Sequence, residues 1–137
     1  ESGGIAIKGH IPERDGIWIG LTILEFMAVT GKSLDELIEE VYVITGSFSV
    51  ERYDLHIDEA IKQKVISNCQ NKVYSSFGKF KIESEDTMDG YKYQLGNDNW
   101  VMIRPSGTEP VLRVYAEAEN SEKAFEILEA TKNVILA

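Results

Sequence analysis

The sequence predicts an α+β fold, on three observations. Beyond Gly46, strand-like and helix-like stretches follow one another in the order β-α-β-β-β-α, which makes an antiparallel sheet with helices on one face. Turn signals, not helices, separate the later strands: Met88-Asp89-Gly90, then Gly96-Asn97-Asp98-Asn99. The last segment carries Ala124, Ile127, Leu128 and Val134 at helical spacing. Residues 1–46 have a different grammar and read as mainly helical. Thr45-Gly46-Ser47 reads as a hinge, so the expected domains are 1–46 and 47–137.

In chain order, Ile5-Ala6-Ile7 is expected to close a short strand. Lys8-Gly9-His10-Ile11-Pro12-Glu13-Arg14 is a polar connector. Asp15 can cap a helix that runs to about Thr30 and stops at Gly31. That helix is apolar on nearly every side, so residues 17–29 need cover, and little else in the chain supplies it. Ser33-Leu34-Asp35-Glu36 is a capping box, opening a helix to about residue 44. Phe48 to Ile57 is strand-like. Asp58 can cap a helix whose apolar face is Ile61, Val65 and Cys69, with Ile66 beside them. Residues 79–85 and 91–95 read as strands, and Trp100-Val101-Met102-Ile103 leads into a Pro- and Gly-containing loop. Val111 to Ala116 leads out, and Ser121 is expected to cap the final helix.

Composition narrows the classes of function. Hydrophobic content of 43% and charged content of 27% suit a globular protein. A net charge of −9 argues against nucleic acid as a partner, since no basic field exists to neutralise its phosphates. Any anion site must then be locally basic. A single cysteine, Cys69, cannot form an internal disulfide and points to the reducing cytoplasm; on a helix face it reads as a small buried hydrophobe. The chain opens on Glu-Ser-Gly-Gly, without the pattern of a signal peptide. The apolar run from Ile17 to Val29 is too short to span a bilayer, so no membrane association is expected.

The most informative stretch is Arg104-Pro105-Ser106-Gly107-Thr108-Glu109-Pro110. Arginine offers a planar fork of donors that suits phosphate. Ser106 and Thr108 add hydroxyls, and Gly107 lets the backbone approach a ligand. Two prolines limit the freedom lost when the loop is ordered. The same residue types also make ordinary turns between strands, so a phosphate cradle and a plain turn both fit.

Three stretches together resemble the C-terminal part of an α-D-phosphohexomutase, the phosphoglucomutase/phosphomannomutase family. They are Glu1-Ser2-Gly3-Gly4, then Gly9 to Ile17, then Arg104 to Pro110 with Leu112-Arg113-Val114-Tyr115-Ala116-Glu117. The resemblance spans essentially the whole chain. It implies a four-domain parent, of which residues 1–46 are the helical tail of an α/β third domain and residues 47–137 are the fourth. It further implies a phosphoserine that exchanges phosphoryl groups with a hexose phosphate through a bisphosphate, which also serves as activator. Mg2+ would be held by an Asp cluster in the second domain. By that resemblance, Arg104, Ser106, Gly107 and Thr108 grip the phosphate that is not reacting. Ser2 touches a sugar hydroxyl, and Glu1 takes a variable position beside it. Lys8, His10 and Arg14 are secondary phosphate candidates, although any one of them also reads as solvated charge. Gly4 departs from the His that many bacterial members of the family carry there, the phosphoglucosamine branch included, which favours glucose and mannose phosphates.

No catalytic pair or metal-ligand spacing emerges from the remaining residues. His10 and His56 lack companion ligands in sequence, and Asp35, Glu36, Glu39 and Glu40 read as a wet helix face. The chain is therefore expected to be a piece of a mutase, inactive alone. Its partners would be a hexose phosphate and the parent's other domains, with self-association through residues 17–29. The alternatives are a free-standing module for a phosphorylated ligand and a non-catalytic interaction domain. An opening inside a Gly-containing loop, with no initiator Met, favours the fragment.

Overall fold

The computed structural model describes residues 4–107 and 110–137. Two compact units are present, residues 1–46 and residues 47–137.

In the first unit, helix α1 spans Gly16–Thr30 and helix α2 spans Leu34–Thr45. Asp15 accepts the Trp18 N–H at 3.0 Å and caps α1. Gly31 ends it with φ 68°, a left-handed conformation that costs glycine little. The box at α2 is complete: Ser33 Oγ accepts the Glu36 N–H, and Glu36 accepts the Ser33 N–H at 2.8 Å. Ile19 is the one buried residue of α1. The strand expected at Ile5-Ala6-Ile7 does not form: among the described residues this stretch has no strand partner, and the one nearby bridge joins Lys8 and His10. No single helix among the described residues is long and apolar enough to cross a membrane.

The second unit is the α+β domain. Its strands are β1 (Ser49–His56), β2 (Ser76–Phe77), β3 (Phe80–Lys81), β4 (Ser84–Asp86), β5 (Tyr91–Gly96), β6 (Asn99–Pro105) and β7 (Val111–Ala118). Helix α3 (Glu59–Gln70) follows β1, and α4 (Ser121–Ile135) follows β7. Five strands make one antiparallel sheet in the order β1-β7-β6-β5-β4, while β2 and β3 form a separate hairpin. Residues 79–85 thus divide between two short strands in different sheets.

Register sets the two faces. Val101 pairs with Ala116, Ile103 with Val114, and Leu55 with Leu112, so these side chains share one side. There they meet Val65 and Cys69 of α3 and Ala124, Ile127 and Leu128 of α4 in a single core. Phe77 and Tyr93 belong to the same core and meet edge to face. Asn97 and Asp98 both have positive φ, as a tight two-residue hairpin demands.

Three local expectations are corrected. Asn120, not Ser121, caps α4: its side chain accepts the Lys123 N–H at 2.9 Å, and Ser121 instead donates to Glu51 at 2.7 Å. Asp58 sits at the N-cap of α3 but its side chain makes no capping bond. The buried face of α3 is Lys62, Val65 and Cys69; Ile61 is left 39% exposed while Lys62 is only 7% exposed.

Candidate functional site

β6 and β7 are two of the three inner strands of the sheet, and the loop between them carries the Arg104 cluster. Pro105 ends β6, which suits a residue that cannot donate to the ladder. The Ser106 N–H donates to the Val111 carbonyl at 3.0 Å and ties the loop across its base. The Ser106 carbonyl in turn accepts from Lys62 Nζ at 3.0 Å. Lys62 also lies 3.8 Å from the Glu59 carboxylate. An ammonium costs several kcal/mol to bury without partners, so these contacts hold it on the core side of α3.

Arg104 and Arg113 are directly opposed in the β6–β7 register, so both guanidinium side chains leave the same face. Like charges in that position repel and favour an anion between or beside them. Carboxylates flank them: Asp89 lies 3.3 Å from Arg104, and Asp54 lies 3.8 Å from Arg113. A chain of net charge −9 thus gathers Arg104, Arg113 and Lys62 around one loop.

Gly90 makes room for Arg104. Its φ is +114°, and an added Cβ would lie 3.1 Å from the Ile103 carbonyl and 3.4 Å from Arg104 Cβ. Gly107 is different: its φ is unexceptional for any residue, and among the described residues, its chain neighbours aside, an added Cβ would meet no atom within 4 Å. Among the described residues, neither strain nor packing calls for glycine at 107.

A cleft of about 750 Å3 opens beside Arg104 and Pro105, walled by Cys69, Lys72, Glu85, Thr87, Asp89, Gly90 and Tyr91. That is within the usual range for small-molecule clefts, roughly 300–1,000 Å3. Lys72 and Glu85 pair across it. Burial pushes the Cys69 thiol up, so it is held as the neutral thiol and not as a nucleophile.

The other sequence-derived candidates belong to the first unit. His10 stacks on Trp18 at 4.4 Å and bonds the Asp15 carboxylate at 2.9 Å, so it buttresses the start of α1. The Trp18 N–H and then His10 hold the Asp15 carboxyl below its ordinary value. Arg14 pairs with Glu13, and its side chain runs where a Cβ on Gly4 would stand, 2.7 Å away. Lys8 is exposed. Glu1, Ser2 and Thr108 lie outside the described residues. Among the described residues, no group of three His, Cys, Asp or Glu side chains is placed to hold a metal ion.

Sequence reasoning missed Lys62 because the loop it serves is 44 positions away. The one available signal was its spacing to Val65 and Cys69, which places it on their helix face.

Comparison with known families gives two matches. Residues 57–134 match the phosphoglucomutase/phosphomannomutase C-terminal domain, and residues 1–44 match the alpha/beta/alpha domain III of the same family. A phosphoglucomutase/phosphomannomutase of Thermococcus kodakarensis is 37% identical over 129 residues, covering 94% of this chain and 26% of the relative. A phosphoglucosamine mutase of Methanocaldococcus jannaschii is 38% identical over 84% of this chain and 24% of its own length. One of Methanococcus aeolicus is 41% identical over the same shares. The chain spans about a quarter of the length of the curated relatives it matches.

Proposed function

Because the chain belongs to the phosphoglucomutase/phosphomannomutase family, we propose that residues 47–137 are the part of a phosphohexomutase that grips the non-reacting phosphate of its substrate. The carrying observation is the β6–β7 loop: a half-exposed Arg104 beside a braced Ser106-Gly107 turn whose glycine is exposed. Arg104 presents its fork, the Ser106 hydroxyl is a second donor, and the Gly107 N–H is a third. In the sequence-based reading Thr108 adds a fourth, and Glu1 and Ser2 face the sugar. Such a grip makes no bond. It holds one end of a hexose bisphosphate so that the other end meets the reacting group, which is catalysis by positioning. The reaction is the interconversion of hexose 1-phosphate and hexose 6-phosphate. The phosphoserine, Mg2+ and its ligands belong to other domains of the parent, and the setting is the cytoplasm.

The sugar is glucose or mannose on the Gly4 argument. The relatives named phosphoglucosamine mutase support a second reading, an amino sugar phosphate. Comparing glucose, mannose and glucosamine phosphates as substrates of the full-length enzyme separates the two.

The loop alone is expected to bind weakly. Charge-assisted hydrogen bonds contribute about 1.5–3 kcal/mol each, and association costs roughly 4–15 kcal/mol. Two or three contacts leave a millimolar dissociation constant, about −4 kcal/mol. Phosphate titrated into the chain should be bound by the wild type and not by Arg104→Ala. Arg104 is half exposed, so that change should alter stability by no more than about 0.5 kcal/mol. Equal binding by both would reduce the loop to a turn. In a coupled assay with glucose 1-phosphate, bisphosphate and magnesium, the chain alone should show no turnover; activity above background would contradict the division of labour.

A further inference from the structure

We propose that Lys62 is a positioning residue for the phosphate loop: its buried ammonium fixes the Ser106–Gly107 peptide so that the Gly107 N–H faces the anion. The inference rests on the phosphate reading of that loop and goes beyond it by assigning a residue outside the motif.

The argument starts from peptide geometry. In a trans peptide the C=O and the N–H of one unit point in opposite directions. The chain has no cis peptide among its described residues, so this holds for the 106–107 unit. Lys62 Nζ draws the Ser106 carbonyl toward α3 at 3.0 Å. The Gly107 N–H, the other end of the same unit, is therefore turned away from α3, on an exposed residue where an added Cβ would meet no described atom beyond its chain neighbours. The preceding N–H, that of Ser106, is already committed to the Val111 carbonyl. Of these two amides, only that of Gly107 is aimed outward.

Glycine makes this orientation insecure without a brace. A peptide unit followed by glycine can flip, because the flipped form needs positive φ at the second residue and glycine accepts it. The flipped form would present a carbonyl oxygen to a phosphate oxygen, a repulsive pairing. A bond from a fixed cation to the carbonyl selects the productive form. It also explains an otherwise costly choice: a lysine on the face shared by Val65 and Cys69, where a leucine would be cheaper to bury. Lys62 adds positive charge on the far side of the loop, but its specific effect is on the direction of one N–H.

The test is inorganic phosphate titrated into the 15N-labelled 137-residue chain, read at each amide. In the wild type the Gly107 amide should shift most and the Ser106 amide little. In Lys62→Met the midpoint should rise about tenfold if the productive form falls to about a tenth of the population. Before phosphate is added, the Gly107 amide of Lys62→Met should stand away from its wild-type position, and at saturation it should return to the wild-type bound position, while signals from β1, β5 and α4 stay in place. Lys62→Arg should keep both the midpoint and the free Gly107 position close to wild type. A Lys62→Met protein with the wild-type midpoint and free Gly107 position overturns the proposal. So does one whose midpoint rises while the Gly107 amide of the free protein keeps its wild-type position, since the lysine would then act by charge alone. If Lys62→Met does not fold, the wild type still decides: a Ser106 amide that shifts more than Gly107 overturns the proposal. Binding lost in Arg104→Ala but unchanged in Lys62→Met sinks this inference and spares the phosphate site. No response in the wild type sinks both.

Discussion

At the scale of single residues, the site depends on a few backbone facts. Gly90 is the clearest. Its φ of +114° is strained for any residue with a Cβ, and the Ile103 carbonyl and the Arg104 stem crowd the place where one would go. Gly90→Ala should therefore destabilise by more than the roughly 0.4–1 kcal/mol that the same change gains at a compatible site. It should also push Arg104 off its course and weaken phosphate binding. Urea unfolding and phosphate titration on one variant give both readings; an unaltered midpoint in each would show that the β4–β5 turn yields freely. Gly107 is the counterpart. Among the described residues, its chain neighbours aside, nothing crowds a side chain there, so Gly107→Ala should cost far less stability than Gly90→Ala.

At the scale of elements, the caps separate what sequence could and could not reveal. Asp15 and Ser33 act as their composition suggests, because a cap is a local bond between residues three apart. Asp58 has the right type and the right place but no bond, and Asn120 has one. Asn120→Ala should cost about 1 kcal/mol, whereas Asp58→Ala should cost a few tenths at most. Chemical denaturation of the two variants checks the ordering, and equal losses would refute it. The strands were legible from alternation and turn chemistry, and the Asn97-Asp98 hairpin from its residue types. Residues 79–85 were not, since two-residue strands carry too little pattern to distinguish a split from a continuous run. Helix α3 misled for a different reason: steps of four drift around a helix, and its true inner face runs 62, 65, 69. The Arg104 motif could be read from composition because its donors are neighbours in sequence. Lys62 could not, because only the fold brings α3 under the loop.

At the scale of the whole molecule, the apolar surface of the first unit is the unanswered feature. Ile17 is 82% exposed and Val29 79%, with Leu21, Leu24 and Phe26 also exposed along α1. Val41, Val43 and Ile44 add to the exposed apolar surface on α2. A continuous patch beyond a few hundred Å2 is rare on a monomer, and covering each large side chain is worth roughly 1.5–3 kcal/mol. In a parent enzyme, neighbouring chain would provide that cover. For this chain in isolation we expect a second copy to do so through residues 17–29. The net charge of −9 opposes the encounter, so association should strengthen as salt screens the repulsion. Sedimentation equilibrium should show an average mass that rises with protein concentration and rises further with added salt. Leu24→Glu should return the chain to monomer; Leu24 is exposed, so the fold itself should lose little. A monomer at every concentration and salt level, with α1 still helical, would mean that this surface is tolerated in water and that its apolar character needs another explanation.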